Sequence, residues 1–227
     1  SGIRFRKRVL FSLLPNLSRL SASGDQEGQK KLISTSFSCM WYLLVPLVVG
    51  IIAISGTLYP IIYPRVIEEY YEITMQLTVL GGISIIMTAI MQLLVSVLQA
   101  NGYFNYSLLF HVLGGIAKVS FLFIFAPMKA ISIYAVAVSN ILLSLIVSIC
   151  ILVKLKGLVK IPVVELFLPL TASTIMYLVV KVFLSLVGGV FGVILAVIIG
   201  MGLYLVFTLP LVKNYYELFI SKLKPNA

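Results

Sequence analysis

The chain has 227 residues, 61% of them apolar and only 11% charged, and its mean hydropathy is +1.13. Soluble domains carry roughly 45–50% apolar and about 25% charged residues, so a soluble core is excluded as a home for this much apolar surface and lipid is the expected solvent. The net charge of +10 does not point to nucleic acid, because Lys and Arg fall mostly between apolar runs, where they orient membrane spans and meet anionic headgroups.

The first stretch, SGIRFRKRVLFSLLPNLSRLSASGDQEGQKK, admits two readings. Basic residues from Arg4 to Arg8, an apolar segment and Ser-Ala-Ser around residue 22 have the layout of a signal peptide. The apolar segment, however, runs only from Val9 to Leu14 before Pro15 and Arg19 interrupt it. Residues 9–17 therefore read better as the cytoplasmic end of a helix whose upstream part is missing. A cytoplasmic linker completes residues 1–35.

A spanning helix needs about 20 mainly apolar residues, and six segments qualify: 37–61, 75–98, 104–126, 129–153, 163–186 and 189–209. Between them lie YPRVIEEYYE, QANGYFN, APMK, VKLKGLVKIP and VGG, each supplying Pro, Gly or charge as a helix stop. The runs exceed the roughly ten residues of a barrel strand and lack polar alternation. The expected fold class is all-α, a polytopic six-helix membrane bundle over residues 36–210. In the remaining 211–227, Leu211, Tyr215, Leu218 and Phe219 fall near one helical face, the pattern of an interfacial helix at the inner headgroups, with a frayed tail as the alternative.

Taking alternate loops as equivalent, 13 of the 17 Lys and Arg fall on one side, while Arg65 and Lys129 mark the other and Lys118 and Lys181 lie within spans. The positive-inside rule then places both termini in the cytoplasm. Glu68, Glu69 and Glu72 face outward, and Tyr59, Tyr63, Tyr70, Tyr71, Tyr103 and Tyr106 cluster at span ends as an interface belt does.

Two stretches carry a resemblance. Leu14-Pro15, Leu17-Ser18, Arg19, Gly24-Asp25 and Lys30-Lys31 follow the pattern of the central cytoplasmic connection in prokaryotic polysaccharide transporters and lipid-linked oligosaccharide flippases. SVLQANGYFNYSLLFHVLGGIAK, through Leu98, Gln99, Gly102, Gly114, Gly115 and Lys118, resembles the same family's short Leu-Gln-x-x-Gly turn and the Gly-rich helix after it. The superfamily includes the stage V sporulation protein B group, the lipid II flippases and the multidrug and toxic compound extrusion transporters. Where the family continues with Gly-x-x-Gly-Ala-Ala, this chain has no glycine, and Ala135 and Ser139 at i, i+4 offer a substitute small-residue face.

The resemblance implies a C-terminal lobe of a transporter with about fourteen helices in two lobes, working by alternating access. It implies a bacterial inner-membrane location, a lipid-linked sugar as substrate, the lipid bilayer and a missing N-terminal lobe as partners, and no enzymatic step. No cofactor, metal or nucleic-acid partner is expected. Cys39 and Cys150 lie in different runs without a CxxC pair, and neither GxxxxGK nor HExxH occurs.

A flippase needs polar groups inside the membrane that face the bundle interior, because they are costly in lipid. His111, Gly114, Gly115 and Lys118 fall at i, i+3, i+4 and i+7, on one helical face. Lys118 sits about eight residues from the outer end, roughly 12 Å deep at 1.5 Å per residue. It is either a cargo or gating group or half of a structural ion pair. His111, at a depth similar to Gln92, reads chiefly as a core histidine hydrogen-bonded to that residue.

Asn140 lies near the depth of Lys118 and either lines the same path or joins two helices. Lys181 is close enough to a span end to snorkel, and Glu165 is placed to pair with Lys160 or cap its helix. Gly188 and Gly192 form a GxxxG packing signal, with Gly200 further along.

Two rivals differ in chemistry. A cation-coupled multidrug exporter needs an in-span carboxylate, and the chain offers only Glu165, near a span end. A membrane-embedded enzyme of envelope lipids needs clustered Asp, Glu or His at cytoplasmic span ends, a pattern missing from this sequence.

Overall fold

The structure, a computed structural model, describes residues 13–65, 67–129, 131–159 and 163–221, without the side chains of 68–69, 163–165 and 209–221. The basic residues at 4–8, Lys160, the Glu165 side chain and the amphipathic face of the tail lie outside the described residues.

Among the described residues there are helices and no strands: α1 (Leu13–Ala22), α2 (Gln26–Ile62), α3 (Glu68–Ala100), α4 (Phe104–Phe125), α5 (Ser132–Lys154), α6 (Val163–Leu186) and α7 (Gly189–Ser221). The six from α2 to α7 are long and apolar enough to cross a membrane. The chain is a polytopic all-α membrane protein.

Several boundaries differ from the sequence reading. Residues 26–35 are helix rather than linker: Gln29, Ile33 and Phe37 recur every fourth residue on a buried face, and that burial outweighs the roughly 1 kcal/mol that a glycine such as Gly28 costs a helix. Asp25 accepts the Gly28 N–H at 2.8 Å and so caps α2. The preceding turn passes through Gly24 at φ 70°, a conformation that costs glycine little. At the other end α7 runs unbroken to Ser221, so the last span and the start of the expected tail are one helix.

The chain divides into two compact units, residues 1–41 with 79–163 and residues 42–78 with 164–227. In the first, Leu17 of α1, Ile33 of α2, Leu94 and Leu98 of α3 and Val147 and Ile151 of α5 are almost fully buried. The Ser21 hydroxyl donates to Asn101 Oδ1 at 3.1 Å, tying α1 to the end of α3.

The second unit has its own core of Ala53, Ala172, Met176, Val180, Leu184, Val193, Ala196 and Tyr204, contributed by α2, α6 and α7. Pro46 lies inside α2 and has no N–H to offer the carbonyl four residues earlier, that of Tyr42. The Tyr204 hydroxyl on α7 donates to that same carbonyl at 2.7 Å. A backbone acceptor freed in a spanning helix is thus re-satisfied by a neighbouring helix, as lipid requires.

Candidate functional site

α4 packs along α5 in the first unit, and Gly114 sets how closely. A Cβ built on Gly114 would lie 2.8 Å from Val147 Cγ2 and 3.3 Å from the Leu143 carbonyl oxygen. Ala135 and Ser139 of α5 are both fully buried, so the small-residue face marked in the sequence lies inside the protein. Gly115 has nothing within 4 Å of a built Cβ. Gly114→Leu is expected to lower stability by about 1–3 kcal/mol through overpacking, while Gly115→Ala is neutral or slightly stabilising. Thermal melting of the two variants in detergent checks this, and equal losses would contradict it.

One turn beyond Gly114, the Lys118 ammonium donates to Asn140 Oδ1 at 2.6 Å. Both residues are partly buried, and among the described residues Lys118 has no carboxylate at ion-pair distance. A charge-assisted bond of this kind is short and roughly twice as strong as a neutral one, yet it leaves the full positive charge and two N–H donors uncommitted by any anion.

The polar contacts continue. The Ser144 hydroxyl donates to the Asn140 carbonyl at 2.9 Å, which leaves Ser144 Oγ to accept from Thr88 Oγ1 of α3 at 3.2 Å. Lys118, Asn140, Ser144 and Thr88 thereby form a polar seam across α4, α5 and α3. Thr88 and Ser144 were not singled out from sequence; their signal is faint, since a hydroxyl in a span usually bonds a carbonyl of its own helix.

His111 does not bond Gln92. Its Nδ1 lies 2.8 Å from the Ser107 carbonyl oxygen of its own helix, and since a carbonyl only accepts, Nδ1 carries the proton. Gln92 is exposed. The α3 glutamine that reaches α4 is Gln99, whose Nε2 donates to Ser107 Oγ at 3.3 Å.

Gly188 and Gly192 do not form one packing face. Gly188 lies in the connection before α7, and a Cβ on Gly192 would strike the Val187 carbonyl of that same connection. The close helix contact in this region belongs to Gly200, whose built Cβ would meet Val180 at 3.1 Å and Met176 at 3.4 Å. Lys181 is partly buried, with its Nζ 5.9 Å from the Tyr177 ring centroid.

The second unit contains an apolar groove of about 310 Å³ between α2, α6 and α7, lined among others by Tyr42, Pro46, Gly50, Met176, Val180 and Gly200. Its chemistry suits a hydrocarbon chain. Among the described residues no three of His, Cys, Asp and Glu gather as a metal site would require.

No protein-family model and no curated protein sequence matches the chain. Among solved structures it is similar to the lipid II flippase MurJ in an inward closed conformation, with a TM-score of 0.70 at 16% identity over 92% of this chain. The match takes in 44% of that flippase, so the chain spans less than half of its length. At this identity the likeness is one of fold alone, a polytopic helical membrane bundle.

Proposed function

We propose that the chain is one lobe of a flippase that moves a polyprenyl-pyrophosphate-linked sugar, a polysaccharide or peptidoglycan precursor, across the bacterial cytoplasmic membrane. The observation that carries this reading is Lys118, a membrane-embedded ammonium held by the neutral Asn140 amide, with no carboxylate partner among the described residues. An in-span charge is costly unless it faces a protein interior or a water-filled path. A lysine whose charge is not neutralised presents a point charge to a pyrophosphate.

The apolar groove of the second unit offers a place for the polyprenyl tail, and the likeness of fold to a lipid II flippase supports the assignment. A second lobe completes the cavity in this reading. Only 6% of the apolar window of α4 is buried, against 28% in each of the other spans, which leaves the helix carrying Lys118 with surface for such a partner. The lobes rock about the headgroup while the tail stays in the bilayer. No bond is made or broken, and both termini lie in the cytoplasm.

The test is reconstitution of the protein together with its second lobe into vesicles, with a fluorescent short-chain polyprenyl pyrophosphate sugar and a cationic dye as competing cargoes. The expected result is translocation of the pyrophosphate lipid and not of the dye. Transport of the dye alone would overturn the proposal in favour of a drug exporter.

A further inference from the structure

Three connections of the first unit meet at one end of its helices: the α1–α2 turn, the α3–α4 turn and the segment after α5. Each turns through a glycine at positive φ, Gly24 at 70°, Gly102 at 81° and Gly157 at 80°. Together they enclose a polar pocket of about 540 Å³ whose lining includes Ser21, Gln26, Lys30, Asn101, Lys154 and Lys156. Among the described residues no Asp or Glu lines it.

The charge in this pocket is poorly compensated. Lys30 pairs with Glu27 at 3.4 Å, but the Glu27 side chain is 88% exposed, so water screens the pair. Lys154 rests over two rings, its Nζ 4.0 Å from the Tyr106 centroid and 5.0 Å from that of Tyr103. Cation–π contacts fix an ammonium in place without cancelling its charge. Among the described residues neither Lys154 nor Lys156 has a carboxylate within ion-pair distance. Lys154 also offsets the negative end of the α5 dipole, yet that end amounts to only about half a charge, against three lysines that line one pocket.

We infer that this pocket binds a phosphate-type anion, at a site separate from the transport path proposed above. Its depth favours a membrane source: Tyr103 and Tyr106 mark a span end, where aromatic side chains sit at headgroup level, and basic pockets between span ends hold anionic headgroups. The recognised chemistry is the same for a phospholipid phosphodiester and for a soluble phosphate. In either case the bound anion braces the three connections against one another.

The experiment compares the full chain in detergent with Lys154→Gln/Lys156→Gln and with Lys156→Gln alone. The single variant alters an exposed side chain and guards against misfolding of the double one. Retention of phosphatidylglycerol and phosphatidylcholine is read by native mass spectrometry, and the melting shift with inorganic phosphate is read in parallel. Wild type is expected to retain phosphatidylglycerol preferentially, with about tenfold weaker retention in the double variant and a smaller loss in the single one. Arg65→Gln, in the α2–α3 connection, is expected to behave as wild type.

A phosphate-induced melting shift that the variants lose, without a lipid preference, assigns the site to a soluble phosphate instead. Variants that match wild type in both measurements, or a wild type that shows neither response, overturn the proposal. Such a failure leaves the flippase reading untouched, since that rests on Lys118 and the apolar groove.

Discussion

Replacing Lys118 with Ala is expected to reduce translocation of the pyrophosphate-linked lipid by roughly 10- to 150-fold, the range that corresponds to losing one charged hydrogen bond of about 1.5–3 kcal/mol. Lys118→Arg retains the charge and a substantial part of the transport. Asn140→Ala removes the orienting amide but not the cation, so its effect falls between the two. If Lys118 only joined α4 to α5, Lys118→Ala and Asn140→Ala would lower the melting temperature together and leave transport of the surviving folded protein intact. Labelling of Lys118→Cys by a membrane-impermeant maleimide adds an independent readout. Protection from both sides of the membrane together with undiminished transport in Lys118→Ala would remove Lys118 from the path.

The second large effect concerns Pro46 and Tyr204. Tyr204→Phe leaves the Tyr42 carbonyl without the hydroxyl that now serves it at 2.7 Å. An unsatisfied buried acceptor costs about 1–3 kcal/mol in soluble proteins, and membrane side-chain hydrogen bonds measure lower, averaging about 0.6 and reaching about 1.7 kcal/mol, so a cost of about 1 kcal/mol is expected. With Pro46→Ala in the background, residue 46 regains an N–H for the same carbonyl, and Tyr204→Phe then costs only a few tenths of a kcal/mol. The ring of residue 204 keeps its edge-on approach to Tyr42, with centroids 6.4 Å apart, so packing is held constant across the cycle. Unfolding in mild detergent measures all four forms. Equal costs of Tyr204→Phe in the two backgrounds would show that the proline and the hydroxyl are energetically unrelated.

The six spans were legible because a bilayer leaves a helix little choice: about 20 apolar residues bounded by Pro, Gly or charge have one stable form there. The helical extension of α2 was less so. Its Gln29, Ile33 and Phe37 mark a buried face only when read at helical spacing through Lys30, Lys31 and three serines or threonines, and polarity alone made it look like a linker. In the seam, the shared face of Gly114 and Lys118 follows from i, i+4 geometry. Which residue of α5 meets Lys118 depends on how the two helices pair, and no single helix's sequence contains that.

Depth matching misled for His111, because its ring had an acceptor one turn back on its own helix, nearer than any residue on α3. The Gly188 and Gly192 motif misled for another reason. A GxxxG face needs both glycines on one helix, and α7 begins at Gly189.

The 37 residues of α2 amount to about 55 Å of helix, against a hydrocarbon layer of about 30 Å. Even a tilted span leaves something on the order of 20 Å of it projecting into water, and the polar residues after Gln26 are the ones able to do so. That projecting end is not a free arm: Gln29 and Ile33 on it are buried within the first unit, so where the helix leaves the hydrocarbon layer protein, rather than lipid, covers its inner face.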